Sequence, residues 1–287
     1  MTDSEKALRR KHITHGIMIA ILIIVFLMFI FPFFLVIINV FKTKGDINSN
    51  PLALIGAHGF TLLNFPNAMR RMNFWHVFGN SLTITISATI LTILVSAMAA
   101  FVISRNKWKA TTILFALMIA SMIIPFQVLM VPIVSVYGGI FNVLNSRLTL
   151  ILMHIGFSVS MATFMFERAI RTNIPLGLEE AAEIDGADET TRFFRITIPL
   201  LSPTIFFAAL MEMIGVFQIF DFIYLMISPN SAGLSAARSL VSYFYDEAFI
   251  RGNHGYGSAI TVVLFLIILI VTGLQLALQK KWVYQEA

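Results

Sequence analysis

Six stretches of this 287-residue chain are each apolar for long enough to cross a lipid bilayer, and no other property of the sequence limits its fold so severely. A helix needs roughly 20 mostly apolar residues to traverse about 30 Å of hydrocarbon. The stretches run from about Ile17 to Phe41, Asn80 to Ile103, Thr111 to Val136, Leu148 to Phe166, Leu201 to Ile227 and Ser258 to Leu278. Backbone in lipid has no water to bond, so a spanning segment must pair its own N–H and C=O groups, which favours helices. The expected fold is an all-α integral membrane protein with about six transmembrane helices. Composition agrees: 12% of residues are charged, against roughly 25% in soluble domains. A water-soluble enzyme and a disordered chain are both disfavoured. The cysteine count is zero, which excludes disulfides, thiolate metal sites and a cysteine nucleophile. The first stretch is too long for a signal-peptide core, and no small-x-small cleavage pattern follows it, so it reads as a retained helix.

Lysine and arginine set the orientation. With a cytoplasmic N-terminus, thirteen of them fall on inner segments (Lys6, Arg9, Arg10 and Lys11 among them) and seven on outer ones. That split places both termini inside. The net charge of +5 then reflects basic residues retained on the cytoplasmic side, and nucleic acid is not expected as a partner. The chain divides into a tail, first helix and outer loop (residues 1–79), a main transmembrane region (80–281) and a short cytoplasmic tail (282–287).

One inner segment stands apart. Glu167–Leu200 carries seven of the fifteen acids and four arginines. Pro175 suits a helix start, where its missing N–H costs nothing. Acids in the next turns favour the helix dipole. Gly186 sits where a helix would stop in a left-handed cap. Asp188 is placed to cap a second short helix, which Pro199 would end. Two capped amphipathic helices exceed what a mere connector needs, so a partner-docking element is the better reading.

The residues Glu180-Ala181-Ala182, then Asp185-Gly186, then nine positions to Ile196-Thr197-Ile198-Pro199 resemble the EAA signature of bacterial binding-protein-dependent ABC importer permeases. The resemblance covers roughly Asn80 to Lys281 and implies the MetI-like ABC importer permease fold. It also implies that residues 167–200 form the loop that couples to a cytoplasmic ATPase. Glu180, Ala181, Ala182, Asp185, Gly186, Ile196 and Pro199 are then the ATPase-coupling positions. The implied partners are two ATPase subunits, a second permease, an extracytoplasmic solute-binding protein and the bilayer. The chain has no Gly-x-x-x-x-Gly-Lys-Ser/Thr motif, so ATP and Mg would be bound by the partner ATPase and by no site here. The implied location is the bacterial plasma membrane, and the implied role is a transport subunit.

Polar residues within the spans are candidates for a translocation path. A charge at mid-membrane costs roughly 2.5–3.5 kcal/mol, so it faces a cavity or a partner. Read as one continuous fifth helix, Gln218 and Asp221 lie about 60° apart on one face, with Glu212 about 180° from Asp221. Gln218, Asp221 and Tyr224 are therefore candidate path residues, with helix packing the competing assignment. Gln127, between Pro125 and Pro132, marks an irregular third span or a simple kink. His154 reads as a packed or hydrogen-bonded histidine. The serines and threonines of the second span, such as Thr92 and Ser96, read as close helix packing.

Asn80-Ser81-Leu82, Ser104-Arg105, the Pro125–Pro132 segment and Gly138-Gly139-Ile140-Phe141-Asn142 resemble the maltose-type oligosaccharide permeases. A sugar or oligosaccharide is the solute this implies. The ending Gln279–Ala287 lacks the glycine-rich tail frequent in one half of such pairs, and Tyr243–Tyr245 with Gly255–Ser258 is more like the sister half. Two alternatives are a same-family permease for a peptide or anion, and a membrane-embedded enzyme. The enzyme would need ionisable groups gathered at one depth, whereas Glu212 and Asp221 fall on opposite faces.

Overall fold

The computed structural model describes residues 3–284, with side chains from Lys11 onward. Lys6, Arg9 and Arg10, and the last three residues of the 282–287 tail, lie outside the described side chains. The elements are, in order, α1 (Asp3–Asn39), α2 (Lys44–Ser49), α3 (Asn64–Arg71), α4 (Phe74–Arg105), α5 (Lys109–Ser121) and α6 (Phe126–Val134). A π-helical turn, Ser135–Ile140, follows α6. Then come α7 (Arg147–Asn173), α8 (Leu176–Ile184), α9 (Glu189–Arg192), a π segment (Phe193–Thr197), α10 (Ile198–Phe217), α11 (Asp221–Met226), α12 (Ala232–Ala237) and α13 (Leu240–Tyr245). A last π turn, Asp246–Ile250, leads to α14 (His254–Trp282).

Among the described residues, five helices are long and apolar enough to cross a membrane, and α5 with the following helix makes a sixth, bent by 101°. The break falls at Met122–Pro125, where proline lacks an N–H and disfavours helix in the residue before it. The third span is thus broken rather than merely kinked. The fifth stretch differs from its sequence reading. Its helix ends at Phe217, with Gln218 as C-cap, and Asp221 opens a separate helix. The angles assigned to Gln218 and Asp221 on one continuous helix therefore do not apply. Pro199 also does not end the second loop helix. The chain stays helical from Glu189 to Phe217. The π segment provides the reason: the Ile198 N–H bonds five residues back to Phe193, and Pro199 follows where a donor is dispensable.

The chain forms two compact units. One holds the residues through Arg71 together with 244–263, and the other holds 72–243 and the chain from Leu264 on. The first thus takes in a segment that the sequence division left in the main transmembrane region. Its interior mixes apolar side chains such as Val40, Ile47 and Ile260 with buried polar ones. Asn64 Nδ2 donates to the carbonyls of Val40 (2.7 Å) and Lys42 (2.8 Å). Lys42 is fully buried and donates from Nζ to Asn39 Oδ1 at 2.9 Å and to the Pro51 carbonyl at 3.1 Å. Burial holds its pKa below the usual lysine value, with Asp46 opposing. Glu247, also fully buried, accepts from Arg251 at 2.5 Å and pairs with Arg71 at 3.3 Å.

The second unit is built on α4 packed along α7, with α10 beside both. Ser81, Thr85, Thr89, Thr92 and Ser96 of α4 are buried at spacings of three and four, so they share one face. Small side chains there let the backbones approach, and Ser96 Oγ reaches the Val159 carbonyl on α7 at 3.3 Å. One apolar cluster joins Ile84, Leu150, Val216 and Phe222, and a second joins Ala100, Phe166, Ile170 and Leu201.

Candidate functional site

The charged inner loop forms the two short helices its sequence suggests. Pro175 caps α8 with φ −62°. At the other end, Gly186 has φ +85°, a conformation that costs residues with a Cβ about 1–2 kcal/mol. The Gly186 N–H bonds the Glu183 carbonyl (3.0 Å) and the Ala187 N–H bonds that of Ala182 (2.9 Å). This is the Schellman pattern, which satisfies carbonyls a helix end leaves open. An added Cβ at Gly186 would meet no atom within 4 Å, so the requirement for glycine is torsional. Asp188 then caps α9, accepting from the Thr191 N–H at 3.0 Å. Its bonding to Thr191 holds the carboxyl below the usual aspartate range.

The limbs are tied across the bend. Arg192 Nη1 donates to Glu183 Oε2 at 2.8 Å. A second tie runs to the spans. Arg105, the last residue of α4, donates from Nη2 to Glu179 Oε1 at 2.7 Å and to the Ile174 carbonyl at 2.9 Å. Hydrogen bonds to charged groups of this kind contribute about 1.5–3 kcal/mol each. One turn earlier, Phe101 meets Phe193 edge to face at 6.4 Å. A cavity of 560 Å³ lies between the limbs and the end of α4, bordered by Arg105, Glu179, Arg192 and Phe193.

These ties leave the other side of α8 bare. Glu180, Ala181 and Asp185 are exposed and Ala182 is half-buried. Ile184, one turn after Glu180, is 87% exposed. Ile196, in the π segment, and Pro199, at the start of α10, are half-buried on the second limb. The fold thus places Glu180–Gly186 at the tip and Ile196 and Pro199 behind it.

The path candidates take a different arrangement. Gln127, Gln218, Asp221 and Tyr224 are all exposed on the second unit. Gln218 Nε2 donates to the Ile214 carbonyl at 3.1 Å. Both helix breaks converge: Phe126, after the first, packs on Phe222, after the second, with ring centroids 4.6 Å apart. Glu212 faces elsewhere. Its Oε1 lies 3.1 Å from His154 Nε2 and accepts from Thr92 Oγ1 at 3.1 Å. Sequence reasoning noticed Glu212, His154 and Arg105 singly and missed their pairings, because nothing in the linear order fixes the register of α4 against α7 and α10.

A family model described as the binding-protein-dependent transport system inner membrane component matches residues 92–284. The chain belongs to this family. Such a permease is an all-α transport subunit and not an enzyme, and the loop just described lies within the matched region. A starch degradation products transport permease of Thermoanaerobacterium thermosulfurigenes is 29% identical over 261 residues, covering 91% of this chain and 93% of the relative. A diacetylchitobiose uptake permease of Streptomyces coelicolor is 30% identical over 72% of this chain and 66% of its own. A melibiose/raffinose/stachyose import permease of Bacillus subtilis is 33% identical over 60% of this chain and 61% of its own. In fold, the permease is similar to a chain of a bacterial alginate ABC transporter, with TM-score 0.76, 17% identity and coverage of 98% and 99%.

Proposed function

We propose that this permease is one half of a membrane pair that imports a sugar or oligosaccharide, driven by two cytoplasmic ATPase subunits. An extracytoplasmic binding protein delivers the solute, both termini lie in the cytoplasm, and the membrane is the bacterial plasma membrane. The observation that carries the reading is the tip of α8: a helix end fixed by Gly186, with Glu180, Ala181 and Ile184 bare and the opposite face tied down. A rigid tip with an unsatisfied apolar residue suits insertion into a cleft on a soluble subunit. ATP and Mg belong to that subunit, whose closure would move the tip and, through α7 and α10, the spans.

Residues 80–281 supply the transmembrane body in this account, and 167–200 the coupling loop. Gln127, Gln218, Asp221 and Tyr224 border the path. Their exposure beside two converging helix breaks supports this, since irregular backbone at membrane depth is tolerated where it lines a cavity or meets protein. The sugar assignment rests on relatives named for starch products, diacetylchitobiose and raffinose-type sugars. The test is purification of the tagged permease from its native membrane with whatever accompanies it. The co-purified binding protein is then titrated with malto-, chito- and galacto-oligosaccharides, amino acids, dipeptides and sulfate. Saturable binding of an oligosaccharide supports the reading. Binding of a dipeptide or sulfate instead would overturn the sugar assignment while leaving the permease role intact.

A further inference from the structure

The coupling helix α8 joins the membrane body through a narrow elbow. Between α7, ending at Asn173, and α8, starting at Leu176, stand only Ile174 (φ −127°, ψ 74°) and Pro175 (φ −62°, ψ 144°). Neither residue has helical torsions, so α8 is not a rigid extension of α7. Thrust on the tip that passes to α7 must cross this joint, whereas the second limb runs on as helix into α10. Ile174 is fully buried among Phe166, Ile170 and Leu201, which anchors the joint on its α7 side, while Pro175 and the start of α8 are exposed.

We propose that Arg105 is a positioning residue that braces this elbow, so that movement of α8 is transmitted to the spans instead of being absorbed at Ile174–Pro175. The proposal rests on the reading of α8 as the ATPase-docking helix. One guanidinium holds both sides of the joint: the Ile174 carbonyl at 2.9 Å and Glu179, in the first turn of α8, at 2.7 Å. The Ile174 carbonyl is among those a helix C-terminus leaves without an internal donor, and a cation is favourable there. Both bonds leave one nitrogen, Nη2, whose two N–H directions are fixed by the guanidinium plane. The side chains of Arg105 and Glu179 are 12% and 16% exposed, so salt and water screen the pair little. Arg105 itself is anchored in the last turn of α4, which packs along α7. Phe101 against Phe193 steadies the other limb from the same turn. Glu179 is not among the residues of the bare tip, so its role here is separate from docking.

The experiment uses the assembled transporter, purified through a tag on this chain and held in lipid nanodiscs. Spin labels go on cysteines introduced for Met98 (70% exposed) on α4 and Leu178 (41% exposed) on α8, outside the bare tip, in a chain with no cysteine of its own. Electron–electron distances are read without nucleotide and with ATP and vanadate. The brace predicts one narrow separation, the same in both states. Arg105→Gln and Glu179→Gln each broaden it or shift it on trapping, while ATP hydrolysis continues. Glu179→Gln removes only a charge, outside the packed spans, and guards against a folding defect in the Arg105 variant. A parent separation that shifts on trapping, or variants as narrow as the parent, overturns the brace. A crosslink from Ala181→Cys to the ATPase, made in parallel, separates the two claims. If it forms, only the brace is rejected, and if it does not, docking and brace fall together.

Discussion

His154 and Glu212 meet 3.1 Å apart, and Thr92 donates to the same carboxylate oxygen, so a single polar contact joins α7, α10 and α4. A carboxylate at this depth is costly to bury alone. Donors from two neighbouring helices offset that cost, and the pair is 14% and 16% exposed, sealed from bulk solvent. Removing one partner strands the other. His154→Leu alone, which leaves the carboxylate to Thr92, is expected to destabilise the detergent-solubilised protein by about 3–5 kcal/mol, whereas the double change His154→Leu with Glu212→Leu costs less than the sum of the singles. Denaturant unfolding of the four proteins in this cycle checks it. Strict additivity would mean that the two groups do not act as a pair.

Gly186 is held at φ +85° with open space around it. Substitution therefore strains the bend without creating a clash. Gly186→Ala is expected to cost about 1–2 kcal/mol locally, and Gly186→Asn less, because asparagine tolerates the left-handed region. Gly186→Asp adds a charge next to Asp185 at the docking tip. Membrane insertion should be unchanged in all three, with transport falling in the order Asn, Ala, Asp. Equal transport by Gly186→Asp and the parent, at matched membrane levels, would contradict the role given to the bend.

The path assignment is open to labelling because the chain has no native cysteine. Single cysteines in place of Gln127, Gln218 or Asp221 are expected to react with a membrane-impermeant thiosulfonate reagent. A cysteine in place of Leu266, exposed on the apolar part of α14, should not. Solute carried by the binding protein should slow the first three. Labelling no faster at those positions than at Leu266 would assign them to lipid or to helix packing.

Asp46 makes the outer unit sensitive to acid. His58 Nδ1 lies 2.9 Å from its Oδ1, and Thr43 donates to Oδ2 at 2.8 Å. The hydrogen bond with the His58 side chain is the main cause that holds this carboxyl below the usual aspartate range, with burial opposing. A depressed folded value means that its contribution is complete above the unfolded pKa of about 3.9 and fades as pH falls through the folded value. Protection of the amides of residues 44–60, relative to their intrinsic exchange rates at each pH, should hold in mild acid and fall only below about pH 4. Asp46→Asn should quicken exchange at neutral pH and flatten the acid response. Loss of protection already near pH 6 in the parent would count against Asp46 as its source.

Much of this molecule is legible in its linear order, for identifiable reasons. Spans are set by apolar length alone, and the charged loop by local signals: Pro175 at a start, Gly186 at a stop, Asp188 at a cap. Local signals failed where helix continuity depends on register. Pro199 reads as a stop, yet the π segment before it absorbs the lost donor and the helix runs on. Gln218 and Asp221 flank the break after Phe217, but their spacing also suits one face of a continuous helix and Ile219 and Phe220 between them are apolar, so the break is not specified by composition. The Arg105–Glu179 tie, 74 positions apart, depends on how α4 lies against α7, which periodicity does not specify.

The most direct test of the account is a thiol-crosslinking scan of residues 176–197, one cysteine at a time, in the transporter as assembled in its native membrane. The account predicts crosslinks to a cytoplasmic ATP-hydrolysing subunit that peak at Ala181 and Ile184 and vanish at Thr197, which is buried. A flat profile, or crosslinks only to extracytoplasmic protein, would contradict it.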